Sequence, residues 1–366
     1  MSTINQKRHT LSPIIRVGLL FILLYLFFVS IALLSASFKF FGKGFAEQLL
    51  ATTSNPFVGL FIGVLSTSLV QSSSTTTSMT VGLVAGGVLD VTRAIPIIMG
   101  ANIGTSVTNT LVSVGHISRP TEFRRAFAAA TVHDFFNLIS VAVLFPLQLG
   151  TNFLGRVSTF VGNGLEQSGG LKLANPLKMA VSPAVKAITS WTSESGILML
   201  IIAVALLFVA LRYIVVNLRM LVIGKVEAFF NTTLFKNAGR AMFLGVVLTV
   251  MVQSSSITTS VAVPLAGAGI LTLRQVFPLT LGANIGTTVT ALLASLVTSN
   301  PAAVTVALAH LFFNIFGIII IWPVKRIPLF LAETLARLSV RSKIVPVVYI
   351  GTVFFLIPLV LIYLTR

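Results

Sequence analysis

The sequence predicts an all-α polytopic membrane protein, in which two inverted-topology repeats contain broken or re-entrant helices. Composition carries the first part of this prediction, because 55% of the 366 residues are hydrophobic and only 9% are charged, whereas soluble proteins carry about 25% charged residues. The second part rests on an internal repeat, since the polar stretch QSSSTTTS at 71–78 returns between apolar runs as QSSSITTS at 253–260.

Composition also excludes several classes of protein. The formal net charge is +17, but the basic residues fall mostly between apolar segments, as the cytoplasmic loops of membrane proteins require. No polar face remains on which a nucleic-acid groove could be built, so no nucleic-acid partner is expected. The chain has no cysteine, which excludes disulfides and cysteine-bound metals. The lipid bilayer is the predicted partner, and the oligomeric state is left open.

Residues 1–50 are predicted to form an N-terminal tail, a first transmembrane helix and a connection. The tail is basic, with Lys7, Arg8 and Arg16. The apolar run at 17–34 is too long for the core of a signal peptide, so we expect it to remain as a helix.

Residues 51–149 and 240–323 form the two predicted repeats. From Gln71 and from Gln253 the chain aligns with itself without a gap, and 21 of 42 positions are identical. Each repeat then continues through GANIGT to a helix that contains HDFFN or HLFFN. The apolar segments at 59–70 and 243–252 are too short to cross a hydrocarbon core of about 30 Å, so they are predicted to be half-helices. Paired broken helices in two halves of a chain predict a substrate site near the membrane midplane.

Charge predicts that the two repeats have opposite topology. The loop after the first GANIGT carries Arg119, Arg124 and Arg125, whereas its counterpart at 299–301 carries no charge. Because positive charge favours the cytoplasmic side, equivalent loops are expected on opposite sides of the membrane.

The remaining segments connect and flank the repeats. Residues 150–239 are predicted to hold an external Gly/Ser/Asn-rich linker at 150–193, a transmembrane helix at 194–211, and a basic cytoplasmic stretch with Arg212, Arg219 and Lys225. Residues 324–366 are predicted to form a connection and one last helix at 345–364. Because that helix lies outside the repeats, we expect it to serve as scaffold.

The polar residues at the two breaks predict an oxyanion site. Helix N-termini at such breaks present free N–H groups and a positive dipole end, and neither QSSS segment contains a lysine or arginine. A bound oxyanion would therefore be uncompensated, which is costly at low dielectric unless cations bind beside it. The eight candidate residues are Gln71, Ser72, Ser73, Ser74, Gln253, Ser254, Ser255 and Ser256.

Neutral oxygen donors near the breaks are candidate sodium ligands, because hard cations prefer oxygen. Threonines three residues apart share one helix face, although such threonines commonly bond their own helix backbone instead. Asp134 lies in an apolar run and is a further candidate, since intramembrane carboxylates mark ion pathways. The alternative is that it pairs with the neighbouring His133 or is capped near a membrane interface. The candidate sodium ligands are Gln253, Asn102, Thr105, Thr108, Asp134, Asn284, Thr287 and Thr290.

Matched polar residues in the HDFFN and HLFFN helices are interpreted as supporting residues. His133, His310, Asn137 and Asn314 fit interhelical hydrogen bonding better than proton transfer. The chain contains no GxSxG, HExxH or P-loop motif, so no enzyme is predicted. A passive anion channel fits poorly, since it would use basic rings or a continuous polar pore. Composition and spacing thus predict sodium-coupled oxyanion transport, and they leave the oxyanion open.

The duplicated QSSS and GANIGT, with EFRRAFAAATVHDFFN at 122–137, closely resemble the type II sodium-dependent phosphate cotransporters. This resemblance implies that both QSSS segments bind phosphate, and that Gln253, Thr287 and Thr290 bind sodium. Ala283 stands where the family also allows serine, so one ligand would come from a backbone carbonyl or water. Asp134 matches the aspartate of electrogenic members.

The resemblance implies a secondary active transporter that imports inorganic phosphate with sodium by alternating access, and electrogenically. It implies no cofactor, because sodium is a co-transported ion. Sulfate, arsenate or proton-driven uptake stay open as alternatives. A short, cysteine-free connection between the repeats is typical of a compact prokaryotic relative in a cytoplasmic membrane.

Overall fold

A computed structural model describes residues 12–40, 51, 53–167, 175–229 and 237–365. Across those ranges the regular structure is helical and contains no β-strand. Seven of the described helices have the length and apolar composition needed to cross a membrane. The prediction of an all-α polytopic membrane protein is confirmed. Lys7 and Arg8 lie outside the described residues.

The first half of the chain begins with a long apolar helix and continues into the first repeat. The first helix extends beyond the predicted 17–34 at both ends, because apolar residues continue on each side of that run. The helices are α1 (Pro13–Phe40), α2 (Pro56–Val70), α3 (Ser73–Ala85), α4 (Val91–Thr105), α5 (Val107–Val114) and α6 (Pro120–Thr151).

The second repeat follows the same order, with one difference. Its GANIGT segment lies inside a continuous helix, whereas the first GANIGT helix is interrupted at Ser106, whose N–H bonds the carbonyl of Ile103 only three residues back. The helices of this part are α10 (Ala238–Val252), α11 (Ser255–Gly267), α12 (Leu273–Thr298) and α13 (Pro301–Ile321).

Both QSSS stretches break a helix at their first residue. Gln71 ends α2 with φ 57° and Gln253 ends α10 with φ 55°, both in the left-handed region. Helices α2 and α10 have 15 residues each. At 1.5 Å per residue each is about 22 Å long, short of a hydrocarbon core. Half-helices are therefore present where the sequence predicts them, although each begins a few residues earlier.

The segment at 150–193, predicted as a Gly/Ser/Asn-rich linker, is largely helical in its described part. It contains α7 (Phe153–Gln167) and α8 (Asn175–Trp191), and α9 (Gly196–Phe229) follows. The buried residues of α7 recur at helical spacing, so its small residues mark a packed face rather than a loop. Composition alone suggests a loop there, whereas the 3.6-residue spacing of the buried residues is that of a helix.

Helix α9 is much longer than the predicted 194–211, because apolar residues continue through the basic stretch. Arg212 therefore lies inside a candidate membrane span, Gly196–Leu218. The side chains of Arg219 and Lys225 lie outside the described part of the chain.

The C-terminal region is also more elaborate than one helix at 345–364. An amphipathic helix, α14 (Arg326–Arg341), packs on α6. It is followed by α15 (Ile344–Gly351), a π-helical turn (Thr352–Leu356) and α16 (Ile357–Thr365). The predicted helix is thus present, with a widened turn in its middle.

Glycines allow α2 and α4, and likewise α10 and α12, to pack backbone against backbone. A Cβ atom added at Gly100 would overlap the carbonyl oxygen of Leu60. A Cβ added at Gly282 would overlap the carbonyl of Met242 in the second repeat. Close approach through small residues is a common way of joining helices in membranes.

The two repeats interlock around the breaks. Helix α3 of the first repeat packs against α12 and α13, whereas α11 of the second repeat packs against α5 and α6. Each post-break helix therefore packs on helices of the other repeat as well as on those of its own. This exchange brings the two QSSS turns together, and it is compatible with the inverted topology, which stays a prediction.

Replacing Gly100 by Ala is expected to destabilise the protein by about 1–3 kcal/mol or more, because the methyl group would overlap backbone that cannot move aside. Thermal unfolding in detergent measures this. The control is Gly18→Ala on α1, where an added Cβ meets nothing within 4 Å. That variant should be neutral or stabilised by up to about 1 kcal/mol. Equal melting temperatures for the two variants would contradict the packing described here.

Candidate substrate and ion site

Each break is held by the same set of side-chain hydrogen bonds. The Ser72 hydroxyl accepts from the N–H of Thr75 at 3.2 Å and caps α3. Across the break, Thr67 Oγ1 donates to Thr76 Oγ1 at 2.9 Å. In the second repeat, the Ser254 hydroxyl accepts from the N–H of Ile257 at 3.4 Å, and Thr249 Oγ1 donates to Thr258 Oγ1 at 3.0 Å. These bonds fix two half-helix tips in the same conformation.

Both tips line one cavity of about 630 Å³. Of the eight predicted phosphate residues, five lie on its wall: Gln71, Ser72, Ser74, Gln253 and Ser254. Ser73, Ser255 and Ser256 are buried in the first turns of α3 and α11 and do not line it. The opposite wall is α9, which contributes mainly apolar side chains.

Arg212 on α9 also lines this cavity. Sequence reasoning assigned it to a cytoplasmic basic stretch and so missed it. The available signal was an arginine within a long apolar run, because charges in membrane spans usually face the protein interior or a water-filled cavity. A permanent positive charge therefore lies on the wall of the cavity that the two serine-capped tips also line.

The predicted sodium ligands of the second repeat are partly brought together. Thr290 Oγ1 donates to Gln253 Oε1 at 2.8 Å, and Gln253 Nε2 donates to the carbonyl of Val250 at 2.7 Å. Thr287 lies one turn before Thr290 and donates to the carbonyl of Ala283 at 3.1 Å. The side chains of Gln253 and Thr290 thus form one unit, whereas Thr287 bonds its own helix.

The corresponding residues of the first repeat are not joined in this way. Thr105 Oγ1 donates to the carbonyl of Ala101 at 2.8 Å. The Thr108 hydroxyl is buried without a hydrogen-bond partner among the described residues. Gln71, unlike Gln253, is exposed on the cavity wall. The two repeats therefore share a backbone and differ in side-chain bonding.

Four asparagines form a buried network between the repeats. Asn284 Nδ2 donates to Asn137 Oδ1 at 3.0 Å, and Asn137 Nδ2 donates to the carbonyl of Asn102 at 2.7 Å. Asn314 Nδ2 donates to Asn102 Oδ1 at 3.2 Å. The asparagines of both GANIGT segments are thereby bonded to the asparagines of the HDFFN and HLFFN helices.

His133 extends this network to α11. Its Nε2 lies 2.7 Å from Asn284 Oδ1, which can only accept, so the proton is assigned to Nε2. Its Nδ1 then accepts from Asn109 Nδ2 at 3.4 Å. Asn109 Oδ1 in turn accepts from Thr259 at 2.9 Å and from Ser260 at 3.1 Å. Asn109 was not anticipated from the sequence, because its counterpart in the second repeat is Ala291.

His310, the counterpart of His133, has no such partners. It is fully buried, and neither ring nitrogen has a hydrogen-bond partner in the described part of the chain. Since Ala291 replaces the asparagine that serves His133, the two matched histidines have different surroundings.

Asp134 is fully buried and is held by hydroxyl groups. Its Oδ2 accepts from Thr110 Oγ1 at 3.2 Å and from the Tyr349 hydroxyl at 2.9 Å. Its Oδ1 has no hydrogen-bond partner within the described ranges. The alternative of an Asp134–His133 pair is not found, because His133 bonds Asn284 and Asn109. Tyr349 was missed, since the last helix lies outside the repeats.

Two half-helix tips on one cavity, joined by a polar network between interlocked repeats, define a secondary membrane transporter. The comparisons with known proteins agree. The model of the Na+/Pi-cotransporter family matches residues 26–164 and 206–359, and the chain belongs to that family. The assignment to sodium-coupled phosphate transporters, and not to enzymes, is confirmed.

Curated relatives cover nearly the whole chain. The gapped alignment with sodium-dependent phosphate transport protein 2A of Ovis aries is 437 residues long and 35% identical. It covers 97% of this chain and 68% of the relative. The gapped alignment with sodium-dependent phosphate transport protein 2B of Homo sapiens is 443 residues long and 33% identical. It covers 94% of this chain and 64% of the relative. The chain thus spans about two thirds of the length of these relatives. No solved structure matches it.

Replacing Asn109 by Leu is expected to lower the free energy of unfolding by about 1–3 kcal/mol, because the buried ring nitrogen of His133 and the hydroxyl of Ser260 lose their partner. Thermal unfolding in detergent checks this. Asn163→Leu on α7 is the control, since Asn163 is exposed. If both variants melt like the parent protein, the network contributes nothing to stability.

Proposed function

We propose that the chain imports inorganic phosphate together with sodium, by alternating access of the cavity between its two repeats, and electrogenically. The observation that carries the proposal is that both QSSS tips and Arg212 line the same cavity. The printed names of the relatives, sodium-dependent phosphate transport proteins, support the choice of phosphate and sodium.

Phosphate recognition is assigned to the two tips. The first N–H groups of a helix have no partner within the helix, and its dipole adds positive potential. The N-termini of α3 and α11 are therefore suited to bind phosphate oxygens. The hydroxyls of Ser72, Ser74 and Ser254 line the cavity as donors, as do the carboxamides of Gln71 and Gln253. Ser73, Ser255 and Ser256 would contribute through backbone N–H groups, because their side chains lie outside the cavity wall.

Charge is the second requirement of phosphate binding. Hydroxyl and amide donors bind the oxygens but leave a net negative charge, whose burial is costly without a counter-charge. Arg212 supplies one positive charge on the cavity wall. Sodium ions would supply the rest, which gives a physical reason for coupling.

Sodium binding is assigned first to the second repeat. An ion between Gln253 and Thr290 would replace the 2.8 Å hydrogen bond that now joins them, with the threonine oxygen turned to the cation. The Ala283 carbonyl, which Thr287 now bonds, would supply a backbone ligand at a position where this chain has no side-chain oxygen. Oxygen ligands of this kind suit a hard cation.

Further cations are assigned to the first repeat and the asparagine network. Thr108 has a buried hydroxyl without a partner in the described chain, and Thr105 lies one turn before it. Asn102 and Asn284 offer amide oxygens close by, although both oxygens accept hydrogen bonds in this conformation. Asp134 provides the carboxylate. Anion and cations then bind better together than alone, and that coupling is reciprocal.

Radiolabelled phosphate uptake into proteoliposomes tests the proposal, with sodium, potassium or proton gradients imposed in turn. Uptake should require sodium and rise when the interior is made negative, since each net charge moved gains about 2.3 kcal/mol per 100 mV. Uptake without sodium would overturn the mechanism. Competition by arsenate or sulfate tests selectivity among tetrahedral oxyanions.

Replacing Asp134 by Asn is expected to preserve sodium-dependent uptake and to remove most of its voltage dependence, because one buried negative charge is lost. Uptake is measured at imposed potentials of zero and about −100 mV, between which the energy of each charge moved differs by about 2.3 kcal/mol. Glu166→Gln is the matched control, because Glu166 is an exposed carboxylate on α7. Equal voltage dependence of uptake in the two variants would contradict the assignment of Asp134 as a cation ligand.

Replacing Arg212 by Gln is expected to raise the phosphate concentration for half-maximal uptake about tenfold, because a charge-assisted contact contributes roughly 1.5–3 kcal/mol. The sodium requirement should persist. The control, Arg156→Gln, removes an exposed arginine of α7. An unchanged phosphate requirement in Arg212→Gln would exclude this arginine from phosphate binding.

A further inference from the structure

The C-terminal helices reach the buried carboxylate of the first repeat through one tyrosine. We propose that Tyr349 is a positioning residue, which holds one oxygen of Asp134 so that the other faces a co-transported sodium ion. Helices α15 and α16 are then part of the coupling machinery and not only scaffold. This inference rests on the proposed function, because it requires sodium coupling.

The Tyr349 ring is fixed by aromatic neighbours on two sides. Phe127 and Phe135 of α6 lie with ring centroids 6.5 Å and 6.3 Å away. Phe354, fully buried in the π-helical turn, lies 6.2 Å away with its ring perpendicular. Single-turn π-helices within α-helices are frequent at functional sites. The ring can therefore turn little, and its hydroxyl is held at Asp134.

Tyr349 is the better of the two donors to Asp134 Oδ2. The Tyr349 hydroxyl donates there at 2.9 Å, whereas Thr110 donates at 3.2 Å and has an alternative acceptor, the carbonyl of Ser106, at 3.1 Å. A hydroxyl has only one proton to donate. Thr110 divides its proton between two acceptors. The Ser106 hydroxyl also lies near the carboxylate, but it donates to the carbonyl of Ile103 at 2.8 Å, so the orientation of the carboxylate depends mainly on Tyr349.

The second carboxylate oxygen is the one available to a cation. Asp134 Oδ1 is buried without a hydrogen-bond partner in the described chain. The ion pairs of that part of the chain, Arg93–Asp90, His116–Glu122 and Arg119–Glu122, lie elsewhere. A buried carboxylate without a positive partner is costly. One oxygen saturated by hydroxyls and one left open is an arrangement suited to binding a single cation.

Hydrogen-bond partners of a metal ligand fix its direction, and their loss typically weakens metal binding by 10–100-fold. The second repeat offers no equivalent, because Leu311 occupies the position of Asp134. The proposed cation site is therefore specific to the first repeat and to the C-terminal helices. Sequence comparison of the repeats could not reveal it, since Tyr349 lies outside both.

The test is sodium-activated phosphate uptake by Tyr349→Phe in proteoliposomes at saturating phosphate. The variant keeps the ring and its packing and loses only the hydroxyl. We expect the sodium concentration for half-maximal uptake to rise about tenfold, at the lower end of the range for such partners. The phosphate requirement at saturating sodium should not change. Tyr363→Phe is the matched control, because Tyr363 is exposed on α16.

The double variant with Asp134→Asn separates positioning from general damage. If Tyr349 acts through the carboxylate, removing its hydroxyl should change nothing further once Asp134 is replaced. Independent effects of the two substitutions would overturn the inference. A second variant, Phe354→Leu, loosens the ring and keeps the hydroxyl, and it should raise the sodium requirement by a smaller factor.

Two failures can be told apart. If the wild-type protein takes up phosphate without sodium in the same assay, the proposed function fails and the inference fails with it. If wild-type uptake needs sodium and the sodium activation curves of Tyr349→Phe and Phe354→Leu match the wild type, only the role of Tyr349 is overturned.

Discussion

The structure depends on satisfying the backbone where two apolar helices break. At membrane depth no bulk water is available to bond free N–H and carbonyl groups, so a break persists only where protein groups or a cavity serve them. Here the serine caps and the Thr67–Thr76 and Thr249–Thr258 hydroxyl pairs hold each break closed on one side. The other side faces the shared cavity. The hydroxyl-rich composition of QSSSTTTS follows from this constraint, because the same groups serve the fold and the proposed ligand.

The two repeats share a backbone and differ in the chemistry they bury. Gln253 is bonded internally to Thr290, whereas the corresponding Gln71 is exposed on the cavity wall. Asp134 and Asn109 have apolar counterparts, Leu311 and Ala291. The duplicated sequence therefore places equivalent helix tips on one cavity, and the two halves diverge at a few buried positions, as the proposed binding of different ions by each half requires. Such a division fits a transporter that must bind an anion and several cations in one event.

Sequence patterns predicted the fold class and both helix breaks, because hydropathy and internal repetition report them directly. They failed where composition and periodicity disagreed, as in α7, whose small polar residues resemble a loop and pack as a helix face. They failed also for contacts between distant segments. Nothing local to Tyr349 indicates that it bonds Asp134, and the apolar run around Arg212 does not indicate which cavity that arginine lines. Those contacts form only when the helices are packed, so local patterns in a single sequence do not reveal them.

The left-handed backbone conformation of Gln71 and Gln253 has a consequence for protein engineering. At φ 57° and 55° a side chain is disfavoured, and glycine would be easier to accommodate by about 1 kcal/mol at each turn. Nevertheless both halves have glutamine there, although they differ at half of the 42 aligned positions. A stabilisation campaign guided by backbone geometry alone would choose glycine at both turns. It would also remove two side chains that line the cavity and, at Gln253, the hydrogen bond from Thr290, so relief of backbone strain would come at the expense of the proposed site.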